Sequence, residues 1–284
     1  MSTIVFNLDT PSLAKTYDEI SDSQYERGQL LINRLGVMAT STVLDIGSGT
    51  GRLGRWLLAD RLTNGVFIGI DPLPERVKIA DEKNTSSNAT YKIARAEDLG
   101  FIQDSSIDFV YLSAVYHWIA DKPKALKEIR RVLKVGGKVG LTTGAKELAE
   151  KQTNRRILKK VLTSEKYADR IDLANIFPSN RVTATQLVEQ FIEANLALSS
   201  LEIIRNDRIQ PNGAFIADHM ESSTFGNYLN NVPADLRSDV RKDFVAELDK
   251  TATQEGIKVT GFTILAIAEK SNQCKCGLKK ENNA

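Results

Sequence analysis

Cysteine is scarce in this 284-residue chain. Only Cys274 and Cys276 occur, both near the carboxyl end, so a disulfide framework is excluded and a cytoplasmic location is expected. No apolar run approaches the roughly 20 residues that a membrane-spanning helix needs. The stretch from Met1 to Ile20 lacks the basic start and apolar centre of a secretory signal. Neither sign of charge dominates: 38 Lys and Arg stand against 36 Asp and Glu, with no long basic block, so nucleic acid is not an expected partner. Internal repeats and long low-complexity stretches are missing as well. The remaining profile, 42% hydrophobic and 26% charged, is that of a globular protein long enough to bury a sizeable core. None of these patterns specifies an oligomeric state.

Periodicity organises the chain. Residues 12–35 read as one helix carrying Leu30, Leu31, Ile32 and Leu35, stopped by Gly36. From residue 42, short apolar runs alternate with helical stretches. Strands are predicted at Thr42–Ile46, Val66–Ile70, Thr90–Ala94, Ile107–Leu112 and Lys138–Thr143, with helices near 51–62, 74–84 and 122–134. That alternation predicts an α/β fold with a parallel sheet covered on both faces. After Gly144 the rhythm breaks. Residues 145–177 are charged and helix-prone, with Ile157, Leu158, Val161 and Leu162 as a buried stripe. Thr183 or Thr185 is placed to cap a helix ending about Asn195. Leu201–Ile209 and Lys258–Ala268 read as two more strands, and the segment between them, 211–255, is too long for a plain loop.

The sharpest local signal is Val43-Leu44-Asp45-Ile46-Gly47-Ser48-Gly49-Thr50-Gly51, a buried strand running into a glycine turn and then a helix. Glycines there allow tight turning and close approach of backbone to a ligand. A P-loop would need Lys followed by Ser or Thr, but Arg52-Leu53 follows. The dinucleotide fingerprint fails too: its third glycine would fall where Arg52 stands, and Asp45 at the strand end would repel a diphosphate. A second acid, Asp71, ends the apolar strand that begins at Val66, 20 residues after Gly51. An acid so placed suits the two hydroxyls of an adenosine ribose. Asp45 facing an amino acid ammonium, glycines for close contact and Asp71 on a ribose together describe S-adenosylmethionine. A generic glycine turn with surface acids is the plainer alternative.

These segments resemble the class I S-adenosylmethionine-dependent methyltransferases. The glycine loop matches their first motif and Gly69-Ile70-Asp71-Pro72 their second. Ala94 to Phe101 looks like the third, Ile107–Trp118 like the fourth, and Leu133-Lys134-Val135-Gly136-Gly137 like the turn before their fifth strand. The resemblance spans residues 40–144. It implies a Rossmann-like, doubly wound seven-stranded sheet, mostly parallel with its last strand antiparallel; Lys258–Ala268 fits that last strand. It implies cofactor contacts at Tyr17, Asp45, Gly47, Ser48, Gly49, Gly51, Asp71, Pro72, Ala96, Glu97 and Ser113. Most relatives carry Asp where Arg95 stands, so adenine contacts shift toward Ala96 or Glu97, and Arg95 itself reads as a surface charge.

A narrower resemblance is to trans-aconitate and juvenile-hormone-acid carboxyl methyltransferases. It rests on Tyr17 to Tyr25 before the core and on Tyr116-His117-Trp118-Ile119-Ala120-Asp121 after the fourth strand. It implies Gln24 and Trp118 as substrate contacts. Tyr17 and Gln24, seven apart, are expected on one helical face. His219, beside Met220, is a further pocket candidate, with solvent or local packing as the plainer reading. The chemistry needs the nucleophile held close and in line, with water excluded. A carboxylate needs no base at neutral pH, whereas an amine, phenol or enol would call on His117. Cys274 and Cys276 have the softness to bind metalloids, as in arsenite methyltransferases, but a Cys-Lys-Cys in a polar tail reads as incidental, and no metal is expected.

The expected organisation is an N-terminal helical lid at 1–39 and a cofactor-binding core at 40–144. A helical cap insertion at 145–182, core again at 183–210, a second cap insertion at 211–255, the last core strand at 256–270 and a tail at 271–284 follow. The expected activity is methyl transfer to a small molecule, at the carboxylate oxygen of an organic acid. Two alternatives stand beside it: N- or C-methylation with His117 as base, and a non-catalytic cofactor-binding protein of the same fold.

Overall fold

The computed structural model describes residues 4–173 and 180–271. Cys274 and Cys276, and the expected tail beyond residue 271, lie outside the described residues.

Seven strands form one sheet in the order β3-β2-β1-β4-β5-β7-β6. They are β1 (Thr42–Ile46), β2 (Val66–Asp71), β3 (Ala89–Ile93), β4 (Ile107–Ser113), β5 (Leu133–Gly144), β6 (Ala197–Gln210) and β7 (Ile257–Glu269). All neighbouring pairs are parallel except those made by β7, which runs antiparallel to both β5 and β6. β1 lies between β2 and β4, so the winding reverses there. In open α/β sheets the crevice beyond the strand carboxyl ends at such a point is where ligands bind.

Helices cover both faces. On one side α2 (Asp22–Leu35), α3 (Arg52–Asp60) and α4 (Pro74–Glu82) bury Leu31, Ile32, Leu57 and Val77 against Val43, Phe67 and Phe109. On the other, α5 (Lys122–Val132) and α7 (Ala184–Glu193) bury Leu126, Ile129, Leu187 and Phe191 against Leu44, Val110 and Val139. The capping box expected at Thr183 is formed: its hydroxyl accepts from the Gln186 amide, and the Gln186 side chain accepts from the Thr183 amide.

The expectation of one helix over 12–35 needs correction. The chain forms α1 (Pro11–Ile20) and α2, broken at Ser21, whose φ of −89° and ψ of 27° leave the helical well. The Ser21 carbonyl accepts from the amides of Gln24 and Tyr25 and starts a new turn. Ser and Asp side by side compete with the helix ladder, and periodicity alone does not register this.

β6 and β7 run long, at 14 and 13 residues, and carry past the carboxyl edge of the sheet. There Ile257 and Val259 meet α6 (Thr153–Leu162), α8 (Gly213–Ser223) and α9 (Arg237–Asp249). The two segments that interrupt the strand rhythm share one core of Leu158, Val161, Leu162, Ile216, Tyr228, Val240 and Phe244, separate from the two sheet-face cores. Phe244 is fully buried there. Phe244→Ala is expected to cost about 3–5 kcal/mol in urea unfolding. A loss below about 1 kcal/mol would show that this second core is not rigidly packed.

Candidate functional site

The glycine loop follows β1 directly. Gly47 has φ of +77°, and a Cβ there would fall 2.2 Å from the Val115 side chain, so glycine is demanded twice. The loop is fastened from the next strand. One carboxylate oxygen of Asp71 accepts from the Gly49 amide at 2.9 Å, and the other from the Leu73 amide at 2.9 Å. Asp71 is buried, and that burial raises its pKa against the opposing effects of Arg76 and the two amides. Asp45, also buried, accepts from the Tyr111 hydroxyl at 2.8 Å. Desolvation pushes its pKa up to about 8; the Tyr111 hydrogen bond pulls the other way, and Asp71 adds to the rise.

A recess of about 50 Å³ opens at this loop, lined by Tyr17, Asp45, Gly47, Ser48, Gly49 and Ser113 among others. Its chemistry fits the amino acid end of S-adenosylmethionine. Among the described residues, the buried Ser48 hydroxyl has no partner and Asp45 forms no ion pair; Arg52, which also lines the recess, is paired with Asp22. Gly51 does not join the recess. Its φ of +74° starts α3, and a Cβ there would meet Ala80 and Tyr91 in the protein interior, so the fold itself demands glycine at this position. Ala96 and Glu97 line neither this recess nor the larger cavity described next. Ala96 is buried in a sheet-face core, and Glu97 lies 3.8 Å from Arg95. Pro72 sits in the turn between Asp71 and α4.

Over the ends of β3 and β4 lies a run of aromatic rings. Phe6 stacks on Phe225 at 5.3 Å, Phe225 meets the edge of Trp118 at 4.8 Å, and Trp118 packs on His117 at 4.7 Å. Arg95, read from the sequence as a surface charge, lays its half-exposed guanidinium 4.5 Å over the Phe6 ring. Arg76 anchors this cover. It is buried, paired with Asp9 at 3.0 and 3.1 Å, bonded to the Ser222 carbonyl at 2.7 Å, and 4.5 Å from the Tyr17 ring.

A second cavity, about 320 Å³, lies under the cap. Tyr17 and Gln24 line both spaces, so they adjoin there. The two residues come from different helices, α1 and α2, rather than from one helical face as their spacing implied, yet the break at Ser21 still brings them together. His117, Trp118 and His219 also line the cavity. Gln24 Oε1 accepts from the Ser23 hydroxyl at 2.7 Å and lies 3.0 Å from His219 Nε2, which places a neutral histidine's proton on Nε2. His219 is therefore a cavity residue. His117 Nδ1 lies 3.2 Å from the Thr143 hydroxyl. Burial, then Arg181, Lys122 and Arg27, push His117 down to about 3; burial, Arg27 and Arg208 push His219 down to about 4. Both shifts favour the neutral ring at physiological pH. Ala114, at φ of +59°, turns the chain from β4 into the cavity wall.

Sequence reasoning missed the cavity's arginines. Arg27, Arg155, Arg181 and Arg208 line it, and no Asp or Glu does among the described residues. A faint signal was present: Asn206, Arg208 and Gln210 alternate along β6 and all face the cavity.

Residues 44–141 match the family model described as Methyltransferase domain. The biotin biosynthesis bifunctional protein BioHC of Cellvibrio japonicus (strain Ueda107) is 35% identical over 132 residues, covering 46% of this chain and 25% of that protein. Malonyl-[acyl-carrier protein] O-methyltransferase of Marinomonas sp. (strain MWYL1) is 34% identical over 132 residues, 46% of this chain and 48% of that one. The chain thus spans between a quarter and about half of the length of these relatives. The crystal structure of the YcgJ protein of Bacillus subtilis covers 87% of this chain and 98% of its own, with a TM-score of 0.59 at 20% identity, a likeness of fold. Residues 44–141 are thus similar to a methyltransferase domain, and together with the strands and helices around them they form a Rossmann-like seven-stranded fold.

Proposed function

We propose that the protein is an S-adenosylmethionine-dependent methyltransferase that esterifies the carboxylate of a small organic acid. The observation that carries this reading is the cavity beside the glycine loop, lined by four arginines and two neutral histidines and by no acid among the described residues. Such a lining attracts an anion and repels an ammonium-bearing acceptor. S-adenosylmethionine, when bound, supplies a sulfonium methyl whose transfer to carboxylate oxygen forms a C–O bond, breaks a C–S bond, leaves the electron pair on sulfur and moves no proton. The chain's part is to hold and align. Asp45 would hold the ammonium and the Gly47–Gly49 backbone would lie against the ligand, while Asp71, bonded to the Gly49 and Leu73 amides, would meet the ribose with its remaining lone pairs. Tyr17 and Gln24 stand where the two recesses adjoin, and Trp118 with Phe225 screens the site from water.

A carboxylate acceptor calls on no base, whereas an amine or carbon acceptor must lose a proton. A non-catalytic role fits poorly with a loop this fully built. A mass-spectrometric screen of acids and amines with the full chain is expected to find methyl esters, labile to alkali. The pH–rate profile is expected to show no step near the ordinary histidine value of 6.5. Methyl gain only on nitrogen or carbon would overturn the reading.

Asp45 gives a second expectation. In the folded protein it keeps its proton up to about pH 8, whereas in the unfolded chain it ionises near 3.8. The folded state therefore binds the extra proton, and this contribution to stability falls as pH rises from about 4 to about 8. Binding an ammonium requires the ionised form, so affinity for S-adenosylhomocysteine should rise up to about tenfold per unit from about pH 6 to about pH 8. Calorimetric titration across that range tests this. Asp45→Asn should bind more weakly and lose the pH dependence, and an unchanged slope in the variant would sink the assignment.

A further inference from the structure

Charge balance in the cavity goes further than the attraction of one anion. Two of its four arginines already have carboxylate partners: Arg208 is bonded to Glu26 at 2.5 Å, and Arg155 to Glu150 at 3.0 Å. Arg27 and Arg181 have none among the described residues. Among the described residues, Arg181 Nη1 donates to the neutral Gln152 side chain at 3.2 Å, and its buried Nε has no partner. Its guanidinium lies against Gly144 at the end of β5, where a Cβ would come within 3.2 Å of Cζ. Burial lowers the pKa of each to about 10, so both remain cations at neutral pH; Arg27 feels Glu26 only at longer range, a carboxylate already bonded to Arg208, and Arg181 has no carboxylate beside it among the described residues. A buried guanidinium is retained at that cost only where an anion completes it.

The two cations have different surroundings. Arg27, on α2, sits near Arg208, Tyr17 and Glu26, beside the junction with the glycine-loop recess. Arg181, ahead of α7, sits near Arg155, Gln152 and Gly144. His117 lines the same cavity and feels the charge of both. Each pole also offers an unpartnered buried polar atom: Arg208 Nε at the first, Arg181 Nε at the second. Asn154 Oδ1 and the Tyr228 hydroxyl, likewise buried and unpartnered, line the same cavity.

We infer that the acceptor is a small dianionic acid, with the carboxylate to be methylated held at the Arg27 pole and a second anionic group held at Arg181. This rests on the carboxyl-methylation reading. The Arg27 pole is the reacting end because Tyr17 and Gln24 join it to the cofactor recess. The product is a monoester: esterification removes the charge at the first pole and leaves the second anion in place on Arg181. Arg181 is then a specificity residue that touches the substrate away from the reacting atoms.

The test compares succinate, glutarate and adipate with butyrate, valerate and hexanoate, using the full chain. Ester formation is followed by mass spectrometry, and binding by calorimetric titration. The diacids are expected to show kcat/KM about 10- to 100-fold higher, the scale of one charged hydrogen-bonded contact, and to give monoesters only. Arg181→Gln is expected to bring diacid kcat/KM down to the monoacid level through KM, and Arg181→Lys to restore part of it. Thermal unfolding of each variant establishes that it is folded, and the wild-type comparison stands whether or not a variant folds. Equal use of monoacids and diacids by the wild type would overturn the two-anion inference while leaving carboxyl methylation in place. Tighter binding of diacids than monoacids without any ester would support the two-anion cavity and overturn the methylation reading. No binding of any acid would overturn both.

Discussion

The arrangement of the site depends on the Asp71 carboxylate. From one buried position at the end of β2 it holds the amide of Gly49 in the β1 turn and the amide of Leu73 in its own turn. Two loops that leave adjacent parallel strands are thereby set at a fixed spacing. Burial works against the charged carboxylate, and two amide donors and the nearby Arg76 oppose that effect without cancelling it, so the pKa of Asp71 is still raised. The glycine loop gains its shape from this clasp as much as from its own backbone freedom. Asp45 on the neighbouring strand has a single hydroxyl donor, and it remains protonated. The two acids differ in their donors: Asp71 accepts from two backbone amides, Asp45 from one hydroxyl.

The same clasp sets the position of the cover. Arg76 lies five residues beyond Asp71 and draws in Asp9 from the N-terminal segment, the Ser222 carbonyl from the end of α8, and the rings of Tyr17 and Phe225. Three stretches distant in sequence meet on one buried guanidinium. Asn227 adds to this by bonding both the amide and the carbonyl of Val5. The cavity beneath is therefore enclosed by contacts between the N-terminal residues and the cap, and it is floored by the ends of β4 and β5.

Much of the fold was legible because its signals are local. β1, β2 and β4 are short, largely apolar runs, with Gly47 after β1 and Gly65 before β2, and α7 announces itself through Thr183 and Gln186. The two strands themselves were read at Leu201–Ile209 and Lys258–Ala268, but the start of β6 at Ala197 and the reach of both strands past the carboxyl edge of the sheet were not legible. Their outer residues, Asn206 to Gln210 among them, are polar and pair for reasons of register rather than hydrophobicity. Asp45, Gly47, Ser48, Gly49 and Ser113 could be placed together since strand-end motifs converge by topology. Gly51 could not be told apart from the other loop glycines, because its neighbours Ala80 and Tyr91 come from α4 and β3. The arginines were the least legible of all. Arg27, Arg181 and Arg208 arise from a helix, a loop and a strand far apart in the chain, and each alone reads as a solvated charge. Only tertiary packing turns them into one cationic wall beside two neutral histidines.

The central claim is that this wall presents a carboxylate to a sulfonium methyl held at the glycine loop. Incubation of the full chain with S-adenosylmethionine carrying a carbon-13 methyl group, followed by NMR of the product from an acid it accepts, addresses it most directly. The account predicts a labelled methyl ester resonance that disappears on alkaline hydrolysis. A labelled methyl on nitrogen or carbon, or no transfer to any acid from a protein that binds S-adenosylhomocysteine, would contradict it.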